Sequence, residues 1–357
     1  MRIGLICPYS LTMPGGVQGQ VLGLARVMRG LGHEVRVLAP CDGPPPDAWV
    51  TPLGVSLPTA SNGSIAPLAP DIPAQLRTIR ALRDEEFEVL HLHEPFCPGP
   101  TQTALLFKTA PIVGTFHAAG QVAYKWFKPL VARVARRIEI CCAVSEDARR
   151  TAKEGIGGEY LVLFNGVDVD QFAKATPWHT EGPTIFFVGR HEPRKGLDVL
   201  LDAMAMLPAN TRLWIAGDGP ETAALRARTS GDSRIEWLGR ITDAEKASRL
   251  RGADVFCAPS LSGESFGIVL LEAMAAETPV VASDLHGYSM VSRGGLDALL
   301  VPPGDARALA DALSRVLEDT ELAARLVASG GFRVAEFSME RLADRYLELY
   351  AEAISKR

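Results

Sequence analysis

No apolar run in this chain approaches the roughly 18–20 residues that a membrane span needs. Cysteine is sparse: six residues, at positions 7, 41, 97, 141, 142 and 257, with no Cys-x-x-Cys pair and no metal-ligand spacing. A disulfide framework and a zinc module are therefore excluded, and the thiols read as buried and reduced. The opening MRIGLICPYS enters a short apolar strand with no h-region or cleavage site, which predicts a cytoplasmic chain. Any membrane contact would then be peripheral, at the inner face of the plasma membrane. No short repeat is present, and the first strand is not followed by the Gly-x-Gly-x-x-Gly fingerprint of a dinucleotide site.

A large excess of one charge is also missing. The net charge is -5, from 37 Lys/Arg and 42 Asp/Glu, and no nucleic-acid partner is expected. Through Phe172 the two signs balance at 16 each, so the acidic excess lies downstream. Residues 121–153 carry eight Lys/Arg against three Asp/Glu. That local excess reads as an ordinary solvated face or as a surface for an anionic membrane or substrate.

What is present describes a globular protein: 357 residues, 47% hydrophobic and 22% charged, too long for one ordinary core. Short apolar runs alternate with helical patterns. MRIGLICPY, EVRVLAP, VLHLHEP, PIVGTFH, EICCAVS and YLVLFN read as buried strands, with VQGQVLGLARVMRGLG and AYKWFKPLVARVARR as helices between them. After the polar interval VDVDQFAKATPWHTEGP the pattern restarts with TIFFVGR, TRLWIAGDG, IEWLGR, DVFCAPS and PVVASDL. The alternation predicts an α/β fold with two parallel sheets, joined near 166–183 and facing a cleft at their strand ends. The amphipathic SMERLADRYLELYAEAISKR is expected to pack back across the first domain.

Four loci carry chemistry. Pro14-Gly15-Gly16-Val17-Gln18 follows the first strand and precedes a helix, where free N–H groups suit an anion; a plain strand–helix turn is the competing reading. Gly189-Arg190-His191-Glu192-Pro193-Arg194-Lys195-Gly196 puts cations in a Gly-flanked loop, which suits a diphosphate, or is a solvated loop. In GESFGIVLLEAMA, Glu264 and Glu272 bracket an apolar run. The backbone around Ser265, Phe266 and Gly267 could turn toward phosphate oxygens, Glu272 toward a ribose diol and Glu264 toward sugar hydroxyls. On this reading the two carboxylates are satisfied by a polyhydroxylated ligand rather than by protein partners; otherwise they are structural helix-start acids. His117 closes the strand GTFH and is either a satisfied structural residue or a cleft residue. His91, His93 and Glu94 lie together in HLHEP without a third spaced ligand, so no metal site is expected.

The PGGVQ loop, GTFH, Ala-Val-Ser at 143–145, Asn165-Gly166-Val167-Asp168, GRHEPRKG, Gly217-Asp218-Gly219, Leu238-Gly239 and the Glu-x7-Glu element together resemble a retaining glycosyltransferase of family 4, over essentially the whole chain. MRIGLICPYS, HLHEP, SNGS and GESFGIVLLEAMAAETPVVASDL resemble its actinobacterial phosphatidylinositol mannosyltransferases. The resemblance implies the GT-B fold: an acceptor domain over 1–170, with helix 338–357 returning to it, and a nucleotide-sugar domain over 171–337. It implies GDP-mannose as donor, no metal and no resident cofactor. Arg190 and Lys195 would hold the diphosphate and Glu272 the ribose. Glu264 and His117 would meet the sugar, and Gly16 would approach the phosphates. Ile241, Ile268 and residues 258–260 would help frame the nucleotide, together with Ser265, Phe266 and Gly267. Tyr9, Gln18, Asn62 and Ser64 would line the acceptor. Ser61 and Pro67 stand where those relatives carry Tyr and Arg, so the acceptor stays open between a phosphatidylinositol-like lipid, another glycolipid and a small soluble molecule. Arg77, Arg80 and Arg83 near Leu76, Ile79 and Leu82 suggest a helix for anionic lipid. The alternatives are a UDP-sugar-dependent enzyme of the same family and a non-catalytic nucleotide-sugar-binding protein.

Overall fold

The computed structural model describes residues 1–13, 15–61, 64–118, 128–264 and 266–356. It divides into two compact units, one of Met1–Gly166 with Met339–Arg357 and one of Val167–Ser338.

The strands of the first unit are β1 (Arg2–Ile6), β2 (Glu34–Ala39), β3 (Val50–Pro52), β4 (Leu57–Ser61), β5 (Ser64–Leu68), β6 (Val89–His93), β7 (Ile112–Phe116), β8 (Ile140–Ala143) and β9 (Leu161–Val162). Seven of them form one sheet in the order β3-β2-β1-β6-β7-β8-β9. Every pairing in it is parallel. Helices cover both faces, so the central strands VLHLH and IVGTF are buried along their whole length and need no alternation. On one face helix Gly16–Gly30 packs against Met339–Ser355 through Val21, Leu24 and Met28 with Met339, Tyr346 and Tyr350. The two helices approach closely at Gly23, where a Cβ would come 2.6 Å from Met339 Cε. On the other face Leu82, Leu105 and Ile156 meet Ile6, Leu90 and Ile112. Strands β4 and β5 form a separate antiparallel hairpin. Tyr9 bridges to Leu68, and Ser10 donates its N–H to the Pro67 carbonyl (3.0 Å), tying the hairpin to the chain after β1.

The second unit repeats the architecture with β10 (Thr184–Val188), β11 (Arg212–Ala216), β12 (Ile235–Gly239), β13 (Val255–Ala258), β14 (Val280–Ser283) and β15 (Leu299–Val301). Their order is β12-β11-β10-β13-β14-β15, again all parallel. Leu200, Leu213, Ile215, Val255, Val281 and Leu313 centre its core. Side-chain caps set where many helices begin: Asp71, Ser145, Asp168, Thr242, Asp305 and Asp319 each accept an N–H three residues on. All six cysteines are free thiols, four of them buried. No helix among the described residues is long and apolar enough to cross a membrane.

Candidate functional site

The cationic loop and the Glu-x7-Glu element meet in the second unit, at the strand ends where an open α/β sheet binds its ligands. Residues 189–196 follow β10 and residues 259–264 follow β13. Gly196 sits at φ +63, and a Cβ there would lie 2.0 Å from the Pro259 carbonyl oxygen. Leu261 then donates its N–H to the Arg194 carbonyl (2.7 Å). Only glycine allows this approach, which brings together side chains about seventy positions apart.

Lys195 Nζ donates to Glu264 Oε1 at 2.6 Å, with the two side chains 18% and 11% exposed. Arg194 Nη1 reaches the same oxygen at 3.4 Å, and Ser260 Oγ donates to it at 3.0 Å. Glu192, buried, pairs with Arg190 Nε at 3.2 Å and accepts from Arg194 Nε at 3.0 Å. Three cations and two carboxylates therefore form one network with a net positive charge. Glu272 lies in helix Ile268–Ala275 and accepts from Lys246 Nζ at 2.8 Å. Burial pulls the Lys246 ammonium down, but the charge and hydrogen bond of Glu272 outweigh it and leave the group above its ordinary value. The expectation that both carboxylates wait for a ligand rather than for protein partners is thus corrected. Each is met by a lysine, because an unpaired charge at this depth costs several kcal/mol. Lys246 escaped the sequence reading. It sits one turn into a helix that shows no contact with GESFG in sequence, and only the packing of Asp243–Gly252 beside Ile268–Ala275 reveals it.

The remaining donor-side candidates fall around this network. Gly267 caps the helix at φ +88, where a Cβ would come 2.5 Å from Tyr288 Cδ1. Phe266 is buried, its ring edge-on to Phe337 at 5.6 Å, so its side chain belongs to the core. Ile268 opens the helix half-buried, and Ile241 lies between β12 and the Thr242 cap. Ser265 lies outside the described residues.

In the first unit, His117 follows β7 and its Nε2 lies 2.9 Å from His93 Nδ1. Glu94 Oε1 accepts the backbone N–H of both His117 and Ala118 at 2.6 Å. His91 is bonded to Tyr350 Oη and to Thr115 Oγ1, each at 2.7 Å, and Tyr346 Oη lies 2.9 Å from that same Thr115 oxygen. Burial drives His91 and His117 down to about 3 and lowers His93 as well, so the three imidazoles are neutral at pH 7. Gly16 begins its helix in the open, with no atom within 4 Å of an added Cβ. Gln18 is buried and spends its amide on the Ser10 and Met13 carbonyls (3.4 and 3.2 Å), which shapes the turn after β1. Tyr9 is half-buried against the same core. Ser64 pairs through its backbone with Ser61, and Asn62 lies outside the described residues.

The family model described as Glycosyltransferase Family 4 matches residues 14–171, and that described as Glycosyl transferases group 1 matches residues 182–319. The phosphatidyl-myo-inositol mannosyltransferase of Mycobacterium leprae is 42% identical, over 98% of this chain and 96% of its own. The Mycolicibacterium smegmatis protein of the same name is 41% identical, over 98% of this chain and 93% of its own. The chain belongs to glycosyltransferase family 4. Among solved structures, HepE of Anabaena superposes at a TM-score of 0.76 with 19% identity, over 99% of this chain and all of its own, which shows the GT-B fold. In this glycosyltransferase, then, the charged network belongs to the second GT-B domain and the histidine network to the first.

Proposed function

We propose that this glycosyltransferase moves mannose from GDP-mannose to a hydroxyl of a phosphatidylinositol-like lipid, with retention at the anomeric carbon. The mycobacterial relatives carry that acceptor and that sugar in their names, and the match runs along nearly the whole chain. The observation that carries the donor half is the Lys195–Glu264 contact. It sets an ammonium suited to a diphosphate beside a carboxylate suited to sugar hydroxyls.

In this reading Arg190 and Lys195 offset the charge that develops on the leaving diphosphate, the largest electrostatic contribution available to such a site. Glu272 takes the ribose diol, Glu264 the sugar hydroxyls, and His117 is the first-unit residue assigned to the sugar. The acceptor attacks the face the leaving group departs from, so no protein nucleophile enters, and the cations and helix N-termini take the part a metal would play. Pro67 favours a second reading of the acceptor. It carries no charge and its carbonyl is bonded to Ser10, so this position offers nothing to an inositol phosphate. A neutral residue at this position is equally compatible with a glycolipid of another class or a small hydroxylated acceptor.

A binding and turnover screen of GDP- and UDP-sugars tests the reading. The expected result is GDP-mannose binding, slow hydrolysis and, with lipid present, an α-linked product by NMR. UDP-sugar use would move the protein to another donor class, and binding without turnover on any acceptor would make it a binding protein.

A further inference from the structure

The side-chain bonds of Glu264 are lopsided. Lys195, Ser260 and Arg194 all donate to Oε1, and among the described residues none donates to Oε2. Behind Ser260 stands Tyr288, with its hydroxyl 3.1 Å from Ser260 Oγ. Each hydroxyl has one hydrogen to give. Ser260 gives its hydrogen to the ionised carboxylate, the stronger acceptor, so it must accept from Tyr288. The relay has one direction, from Tyr288 O–H through Ser260 O–H to Glu264 Oε1. Burial, reinforced by the Glu264 charge, raises the Tyr288 phenol far above its ordinary range, so its proton stays in place.

The same residue also holds the loop mechanically. Its ring occupies the space beside Gly267, and next to it Gly287 lies so close to the Glu264 carbonyl oxygen that a Cβ would be 2.3 Å away. Tyr288 therefore meets Gly267 through its ring and Ser260 through its hydroxyl, and reaches the Glu264 carboxylate only by way of Ser260.

We propose that Tyr288 is a positioning residue that acts through Ser260 to fix Glu264 by Oε1 and leave Oε2 as the acceptor for a hydroxyl of the transferred sugar. This rests on the donor site proposed above and deepens it: the Ser260–Tyr288 pair governs recognition of the hexose and takes no part in holding the nucleotide. The neighbouring cations act on the diphosphate, so removing one phenolic oxygen should separate the two affinities.

The experiment compares the full-length wild type with Tyr288→Phe, Ser260→Ala and the double variant, titrated with GDP and with GDP-mannose by calorimetry. Phenylalanine keeps the ring beside Gly267, and a thermal melt checks that the variant folds. Tyr288→Phe is expected to weaken GDP-mannose about fivefold, the scale of one hydrogen bond, and to leave GDP within about twofold. The double variant should lose no more than Ser260→Ala alone, because both changes cut one relay. Equal losses for GDP and GDP-mannose would mean a purely structural tyrosine and overturn the proposal; so would unchanged affinity for both. A wild type that binds UDP and UDP-glucose instead would sink the GDP-mannose reading, and the same ratio measured with that pair would still decide on the relay.

Discussion

Lys246 Nζ lies 2.8 Å from Glu272 Oε1, and the ammonium rests over the Phe172 ring at 5.5 Å. Asp243, one turn earlier on the same helix, lies farther off at 3.6 Å. The carboxylate named for the ribose is thus held by a largely buried lysine, its side chain 19% exposed. Breaking such a pair by removing one member leaves the other charge stranded. Lys246→Met is therefore expected to destabilise the second unit by about 3 kcal/mol, read as a lower urea midpoint. Adding Glu272→Leu should recover much of that loss, because the pair is worth little against a well-packed apolar substitute. An unchanged midpoint for Lys246→Met would show that Glu272 is not dependent on it. Lys246 is raised above its ordinary value, so this stabilisation is complete at neutral pH and fades only as strong alkali deprotonates the folded form.

Lys195 has a different role in the same neighbourhood. Glu264 keeps Arg194 and Ser260 when Lys195 is removed, so Lys195→Ala should fold. Its effect should fall on turnover, which is expected to drop by well over tenfold, as loss of charge stabilisation at a leaving group does. Steady-state kcat with the preferred donor checks this. Near-normal turnover would take the leaving-group role away from Lys195.

The histidines of the first unit make a prediction about pH. His91 and His117 are both drawn down to about 3, by burial first and, for His91, also by its neighbour His117. His93 is lowered as well, while burial raises Glu94, which works in the opposite sense. An unfolded histidine takes up a proton near pH 6.5, and these folded ones cannot. Their contribution to stability is therefore whole above that value and is lost as pH falls toward 3, at about 1.4 kcal/mol per pH unit for each group. From about pH 7.5 to about 5, the urea midpoint of the wild type should fall more steeply than that of His91→Gln. Glutamine keeps a donor and an acceptor for Tyr350 and Thr115, so parallel slopes would argue against a neutral His91.

Much of this could be read from the chain. The apolar runs from MRIGLI to PVVASDL are strands because sheets covered on both faces need unbroken apolar segments, which pattern alone exposes. β3 and β15, three residues each at sheet edges, are too short to leave such a trace, and the β4–β5 hairpin has no alternation to betray it. The Gly-rich loops were legible as loops, since a φ of +63 at Gly196 and +88 at Gly267 admits few other residues. The partners were not. His93 pairs with Thr115 in register, which sets His117 two residues beyond, but this follows only once β6 and β7 are known to be neighbours. Likewise Lys195–Glu264 and Lys246–Glu272 depend on which strand ends adjoin, and a linear pattern carries no record of that.

The helix Ile72–Asp84 allows the acceptor reading to be tested at a surface. Its three arginines are partly engaged: Arg77 donates to the Leu53 carbonyl at 3.1 Å, Arg80 pairs with Asp84 at 3.3 Å, and Arg83 lies over Phe107 at 5.1 Å. Ile72 and Leu76, by contrast, are 70% and 61% exposed. Contact with a lipid surface through this helix would therefore draw on apolar insertion, with charge adding a modest, salt-sensitive share. Sedimentation with phosphatidylglycerol vesicles should show binding at low salt that weakens as salt rises. Leu76→Asp, which loses one buried side chain and adds a like charge to the lipid, should reduce it by roughly tenfold. Full binding by that variant would place any membrane contact elsewhere, and a wild type that ignores these vesicles at low salt would turn the acceptor question toward a soluble molecule.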